Sequence, residues 1–314
     1  VPWSPPVPRL REYVNALRAI WRCWETGEKL EFRGKHYTFT LMIPNFVPPS
    51  TAQAPVPITI AAVGEHSLRL AGEACDGVRL HPFCTRAYVE DVVMARLREG
   101  MAKTGRSRET FEITGGGFVA TGATDEEVEE VAEWVRYRIA FYGSTPSYWP
   151  VFEHHGYGDL GRKLNAMTKD GKWDEIASEI PDDLLHLFAA IARYDQLAAA
   201  LEKRFGGVCD AVYASTSQDI RPAVPVDVLQ DIAKIPTVFG GFAKPTSGKN
   251  QAKIEHAGHI CAQDGPNMAP TWPQDGPKTA PRWPQDAPKM APRRLQDDSK
   301  TTPSRIEKQS YVNL

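Results

Sequence analysis

The chain has 314 residues, 42% of them hydrophobic and 24% charged, with a formal net charge of −2. That length suits one large α/β barrel with an appendage or two domains of ~150 residues. The charge balance excludes a strongly basic nucleic-acid binder, and no apolar run approaches the ~20 residues of a membrane span, so neither nucleic acid nor a membrane is expected as a partner.

Proline is unevenly spread. Four of the 26 fall in the first eight residues and ten in the last 70, so both ends differ from the middle. Pro2 to Pro8 reads as an extended loop. Leu10, Val14, Leu17, Trp21 and Trp24 then mark one stripe of a helix over 10–24. HYTFT (36–40) suits a short strand and PNFVPPS (44–50) a loop.

From residue 57 strands and helices alternate. PITIAAVG (57–64) is a strand ending in Gly, HSLRLAGEAC (66–75) a helix, DGVRLHPF (76–83) a strand, and 88–105 a helix capped by Gly105. FEITGGGFVATG (111–122) is a third strand whose triple Gly predicts a bulge or a close backbone approach. Thr124 and Glu127 form a capping box that opens a helix through Ile139. A helical and loop stretch (142–192) follows, then a helix over 195–206 and a fourth strand over 208–217.

The alternation predicts an α/β fold with a parallel sheet and covering helices. Read as α, β, α, β, α, β, α, β, it corresponds to a partial (β/α)8 TIM barrel, its second half of about four strands. The expected domain is 1–243, lacking its N-terminal strands. Residues 244–314 are expected to form a low-complexity Pro-rich tail. Its 11-residue repeats begin at Asp264, Asp275, Asp286 and Asp297, and their prolines exclude a helix and predict disorder. An exposed half-barrel core predicts association, either as a homo-oligomer or as aggregation.

Candidate chemistry collects where strands end. Ala61 to Gly64 runs straight into a helix, which turns unpaired backbone N–H groups outward. The turn is either a plain βα connection or a seat for an anion. His81, in HPFCT (81–85), is either an acid/base or cofactor contact, or a histidine satisfied by neighbouring backbone. Ser144 and Thr145, in AFYGSTPSY (140–148), suit a helix cap first and a phosphate or substrate contact second.

No metal is expected. His154–His155 with Glu153, and His256, His259 and Cys261, lack the spacing of a strong site. Walker, GxGxxG, GxSxG and HExxH motifs are absent. Five scattered cysteines without a CxxC pair suit buried free thiols in a reducing, cytoplasmic compartment.

The blocks PWSPPVPRLREYVNALRAIW (2–21), LEFRGKHYTFTLMIPNFVP (30–48), PITIAAVG (57–64), ACDGVRLHPFCT (74–85), IAFYGSTPSYWPVFEHHGYGDL (139–160) and GKWDEIASEIPDDLL (171–185) together resemble the luciferase-like monooxygenase superfamily. Within it they are most similar to oxidoreductases that use the deazaflavin coenzyme F420. The resemblance covers about residues 2–217. It implies a (β/α)8 barrel binding F420 or FMN at the C-terminal ends of its strands, with hydride transfer or oxygen activation on a small organic substrate.

The resemblance further implies a cofactor phosphate at Ala62, Val63, Gly64 and Glu65. The substrate pocket would comprise His81, Phe83, Thr85, Tyr142, Ser144 and Thr145, with His81 the best catalytic candidate. The superfamily's first four strands carry much of the ring-binding wall and have no counterpart here. The alternative is therefore a non-catalytic truncated remnant that binds no cofactor.

Overall fold

Two prolines begin the first helix instead of preceding it. In the computed structural model, which describes residues 5–49, 56–115, 117–214, 224–242 and 311–313, α1 spans Pro6–Thr26. Pro6 and Pro8, expected in an extended loop, occupy its first turn, where a backbone N–H has no intrahelical partner and proline costs nothing. The helix ends at Gly27, whose φ of 71° gives the left-handed cap. Val14, Ala16 and Cys23 are its buried residues.

The next segment is mostly irregular. β1 (Phe32–Arg33) and β2 (Thr38–Phe39) form a two-residue antiparallel ladder, shorter than the strand expected over 36–40. Glu12 on α1 holds the intervening turn by accepting from the amides of Lys35, His36 and Tyr37. A 3-10 turn (Pro44–Phe46) interrupts the expected loop.

The alternating region builds a parallel sheet of β3 (Thr59–Ala62), β4 (Gly77–Leu80), β5 (Glu112–Thr114) and β8 (Ala211–Tyr213), in that order. One face of these strands, Ile60, Ala62, Val78, Leu80, Ile113 and Val212, is buried in the core. The register sets Ala61, Arg79 and Thr114 side by side on the other face. At the amino ends of the strands two aspartates tie the layers together. Asp76 accepts from Arg18, Arg106 and the Ile58 amide, and buried Asp210 accepts from Arg108 and the amides of Ile113 and Phe239.

Between β3 and β4 runs α2 (Glu65–Ala74). Between β4 and β5 one continuous helical stretch comprises α3 (Arg86–Tyr88), a π turn (Val89–Val93) and α4 (Met94–Ala102). The expected Gly105 cap forms: regular α-helix ends at Ala102, and Gly105, left-handed with φ 65°, lets the Arg106 amide donate back to the Met101 carbonyl. Helices α2 and α4 touch through glycines: a Cβ on Gly72 would strike the Leu97 carbonyl, and one on Gly100 the Arg69 carbonyl.

The third expected strand is two. Gly115 (φ 107°) and Gly117 (φ 124°) break it, so β5 stays in the main sheet while β6 (Phe118–Gly122) pairs in parallel with β7 (Ala189–Arg193). The expected close approach is met: a Cβ on Gly115 would lie 2.8 Å from the Leu80 carbonyl. β7 falls in a stretch read as helix and loop, because AAIAR lacks the β-branched content that marks a strand.

The capping box holds. The Glu127 amide donates to Thr124 Oγ1 at the start of α5 (Asp125–Gly143), and the Glu127 carboxylate accepts from the Ala123 amide. Then come α6 (Trp149–His154), α7 (Gly158–Lys169), α8 (Asp182–Phe188), α9 (Tyr194–Phe205) and α10 (Val226–Ile232). All described elements belong to one unit, Val1–Thr246 with Glu307–Leu314. The fold is α/β, a parallel sheet with covering helices.

The expected fourth strand is shorter at its start, and its residues 215–217 lie outside the described residues. So does nearly all of the repetitive tail, including Cys261 and the His256/His259 pair. Tyr311–Asn313 is described, as β9 antiparallel to β8, an element that the expectation of disorder did not include. Among the described residues no helix is long and apolar enough to cross a membrane.

Candidate functional site at the strand ends

β3 delivers its last residues to the start of α2. Ala62 is buried, while Val63, Gly64 and Glu65 are exposed. The first intrahelical bond is Leu68 N–H to the Gly64 carbonyl, so the amides of Glu65, His66 and Ser67 precede the ladder. Around Gly64 there is open space: an added Cβ would meet only Ser67 Oγ, at 3.9 Å. The Glu65 carboxylate would repel an anion there, but it is ion-paired with Arg69 at 3.1 Å and Arg96 at 3.2 Å. Donors, space and neutralised charge all fit a phosphate.

One strand over, β4 delivers His81. The Phe83 amide donates to its Nδ1 at 3.0 Å, so in the neutral ring the proton sits on Nε2. This meets the expectation of a backbone-satisfied histidine at one nitrogen only. Burial first, then the Arg138 cation, push the His81 pKa down to about 4. The imidazole is therefore neutral at pH 7.

An aromatic shelf from the end of α5 surrounds His81. Its ring centroid lies 4.5 Å from that of Tyr142, edge-on, and 4.7 Å from that of Tyr148. Arg138 donates through Nη2 to Tyr142 Oη at 2.8 Å and lies over the Trp134 and Tyr142 rings, 5.1 Å from each centroid.

The other expected pocket residues are engaged elsewhere. Phe83 is fully buried against Phe152, Phe188 and Tyr148 and forms the floor under the shelf. Thr85 caps α3 by accepting from the Tyr88 amide, and its Oγ1 lies 2.7 Å from His155 Nε2. Ser144 and Thr145, expected as a cap, make no side-chain cap of the following 3-10 turn (Pro146–Tyr148). Ser144 is buried and donates back to the Phe141 carbonyl, and Thr145 is exposed.

His81, Phe83 and Tyr142 thus meet. Arg138, Tyr148 and His155 join the site region without having been singled out for it. Arg138 carries one available signal, its place one helical turn before Tyr142 and after Trp134.

His154 pairs with Asp91 at 3.2 Å. Among the described residues no group of three or more His, Cys, Asp or Glu is placed to hold a metal ion. Cys23, Cys75, Cys84 and Cys209 are buried and free, and burial pushes Cys75 up to about 11 and Cys84 up to about 12, so these two thiols stay protonated. A separate cleft of about 390 Å³, between Arg86, Lys203 and the turn Pro236–Val238, contains none of the expected site residues.

Fold and site together define an α/β protein whose polar and aromatic groups converge at the carboxyl ends of parallel strands. The chain belongs to the luciferase-like monooxygenase family, whose pattern matches residues 1–209. It is 43% identical over 213 residues to an uncharacterized protein of Mycobacterium tuberculosis, covering 68% of this chain and 62% of that protein. It is 26% identical over 236 residues to a putative coenzyme F420-dependent oxidoreductase of the same organism, covering 69% of this chain and 65% of that one.

Among solved structures it is similar to the coenzyme F420-dependent tetrahydromethanopterin reductase of Methanopyrus kandleri. That match has a TM-score of 0.45 and 17% identity, covering 62% of this chain and 54% of the other. The chain spans less than two thirds of the length of each of these relatives.

Proposed function

We propose that this chain forms part of a flavin- or deazaflavin-dependent oxidoreductase site. The cofactor, coenzyme F420 or FMN, has its phosphate at Ala62–Glu65, and a small organic substrate meets His81 and Tyr142. The observation that carries this reading is the set of amides of Glu65, His66 and Ser67 ahead of the first helical bond, facing open space at Gly64 one strand from His81. A relative whose name states F420 dependence favours the deazaflavin over FMN.

β3, β4 and β5, neighbours both in sequence and in the sheet with helices between them, support reading them as consecutive units of a (β/α)8 barrel, while β8 adjoins β5 with the β6–β7 pair between them in the chain. The buried free thiols support a reducing compartment such as the cytoplasm.

When bound, the cofactor supplies hydride transfer, and the protein supplies position and electrostatics. The α2 amides hold the phosphate. His81, neutral with its proton on Nε2, orients a substrate oxygen as a hydrogen-bond donor and is not a general acid at pH 7. The shelf of Tyr142 and Tyr148 excludes water from one side of that oxygen.

Titration of the full chain with F420 and with FMN, followed by cofactor fluorescence, tests the reading. Saturable binding of one of them is expected. Gly64→Asp, which sets a carboxylate against the phosphate, weakens it at least about tenfold. No saturable change with either cofactor refutes the site and leaves the non-catalytic reading.

A further inference from the structure

Arg138 is a half-buried cation without an anion. Among the described residues it has no carboxylate within ion-pair distance, whereas the half-buried Arg18, Arg108 and Arg136 each meet an aspartate. Arg204, the other half-buried arginine without a carboxylate, instead gives its donors to the carbonyls of His186 and Leu187. The hydrogen bond of Arg138 goes to the Tyr142 hydroxyl, and its Nε, like those of Arg18, Arg96 and Arg204, is buried with no hydrogen-bond acceptor. Removing a guanidinium from water without a counter-charge is costly; the Trp134 and Tyr142 rings face the cation in place of a carboxylate, and an anionic ligand would complete the arrangement.

The neighbours of Arg138 are of the same kind. Tyr142 Oη accepts from Arg138, which leaves its own hydrogen to donate. His81 Nε2 carries a proton, its Nδ1 being occupied by the Phe83 amide, and Nε2 is not among the buried unpartnered atoms. The His81 ring and the Arg138 guanidinium both lie against the Tyr142 ring. Three donors therefore gather around the Tyr142 ring, and among the described residues none of them is paired with a carboxylate.

We propose that Arg138, Tyr142 and His81 form an oxyanion subsite that takes the carboxylate or phosphate of the substrate, so that the substrate is an organic anion whose apolar body lies on Tyr142 and Tyr148. The proposal rests on reading the strand ends as the substrate site. It makes Arg138 a specificity-determining residue: guanidinium donors match a planar carboxylate or a phosphate, and the aromatic rings favour an apolar body beside it.

The test uses benzoate and inorganic phosphate as probes on the full chain with isotopically labelled histidine, following the His81 ring resonance, which is assigned by its loss in His81→Gln. Saturable shifts with at least one anion are expected. Binding should weaken at least about tenfold in Arg138→Met, the loss of one charge-assisted contact, and largely persist in Arg138→Lys. Should Arg138→Met not fold, Arg138→Gln set against Arg138→Lys reads the same difference.

No saturable shift with either anion, or equal affinity in the neutral variants, overturns the proposal. A third arm repeats the titration with F420 present. Retained anion binding supports a substrate anion, and expulsion of the anion by F420 overturns it in favour of the cofactor's own phosphate. Anion binding in a chain that binds neither F420 nor FMN refutes the cofactor site and leaves the subsite standing.

Discussion

Replacing His81 by Gln removes one titrating group from a place where protonation is disfavoured, and the structure sets the size of the effect. A free histidine titrates near ~6.5, whereas burial and then Arg138 hold His81 at about 4. As the pH falls through the unfolded value, the unfolded chain takes up a proton that the folded chain refuses until about 4, so stability is lost across that window and is fully present above it.

Between pH 7 and pH 5 the undiscounted difference is up to ~1.8 kcal/mol. The ring is only half-buried, so solvent screening reduces this to about 1 kcal/mol. Urea unfolding of wild type and His81→Gln at both pH values reads it, since every other titrating group, including His155, whose pKa burial also lowers, is common to the two proteins. The wild type should lose about 1 kcal/mol more than the variant on going to pH 5. Identical pH dependence in the two proteins would refute the desolvated, neutral histidine.

Gly100→Ala should destabilise by about 1–3 kcal/mol, because the new methyl meets the Arg69 carbonyl and must push α2 from α4; an unchanged urea midpoint would show that the two helices separate freely. Asp210→Asn should cost about 3–5 kcal/mol in the same assay, since it strips the buried counter-charge from Arg108 and opposes an amide group to the Ile113 and Phe239 amides. A loss below about 1 kcal/mol would contradict that account.

Much of the secondary structure was legible because it is periodic. Apolar spacing marked α1, α2, α5 and α9, and Thr124 with Glu127 marked the start of α5 to the residue. The glycine-ended strand at 57–64 marked the turn into α2, whose free amides are a property of local backbone that needs no distant partner. Gly115 and Gly117 announced a close approach, but their partners are the carbonyls of Leu80 and Phe188, residues far along the chain. That one run of residues serves two sheets was therefore unreadable from the run itself.

The site divides in the same way. His81 stood out by type and by its place after a strand, and Tyr142 by its turn. Which groups gather around them depends on how α5 crosses the end of β4, and no local pattern encodes that crossing. It joins Arg138 and Tyr148 to His81, and it leaves Ser144 and Thr145 facing elsewhere.

Protonation is decided at the same level. A histidine's tautomer follows from the Phe83 amide two residues away, which local sequence could suggest, but its lowered pKa follows from burial and from Arg138 on another element. The sequence by itself determined the α/β alternation and the glycine turn into α2, because both arise from contacts within a few residues. The cation without an anion, the aromatic shelf and the neutral histidine were decided by tertiary structure, because desolvation and charge act through space between residues that the chain keeps far apart.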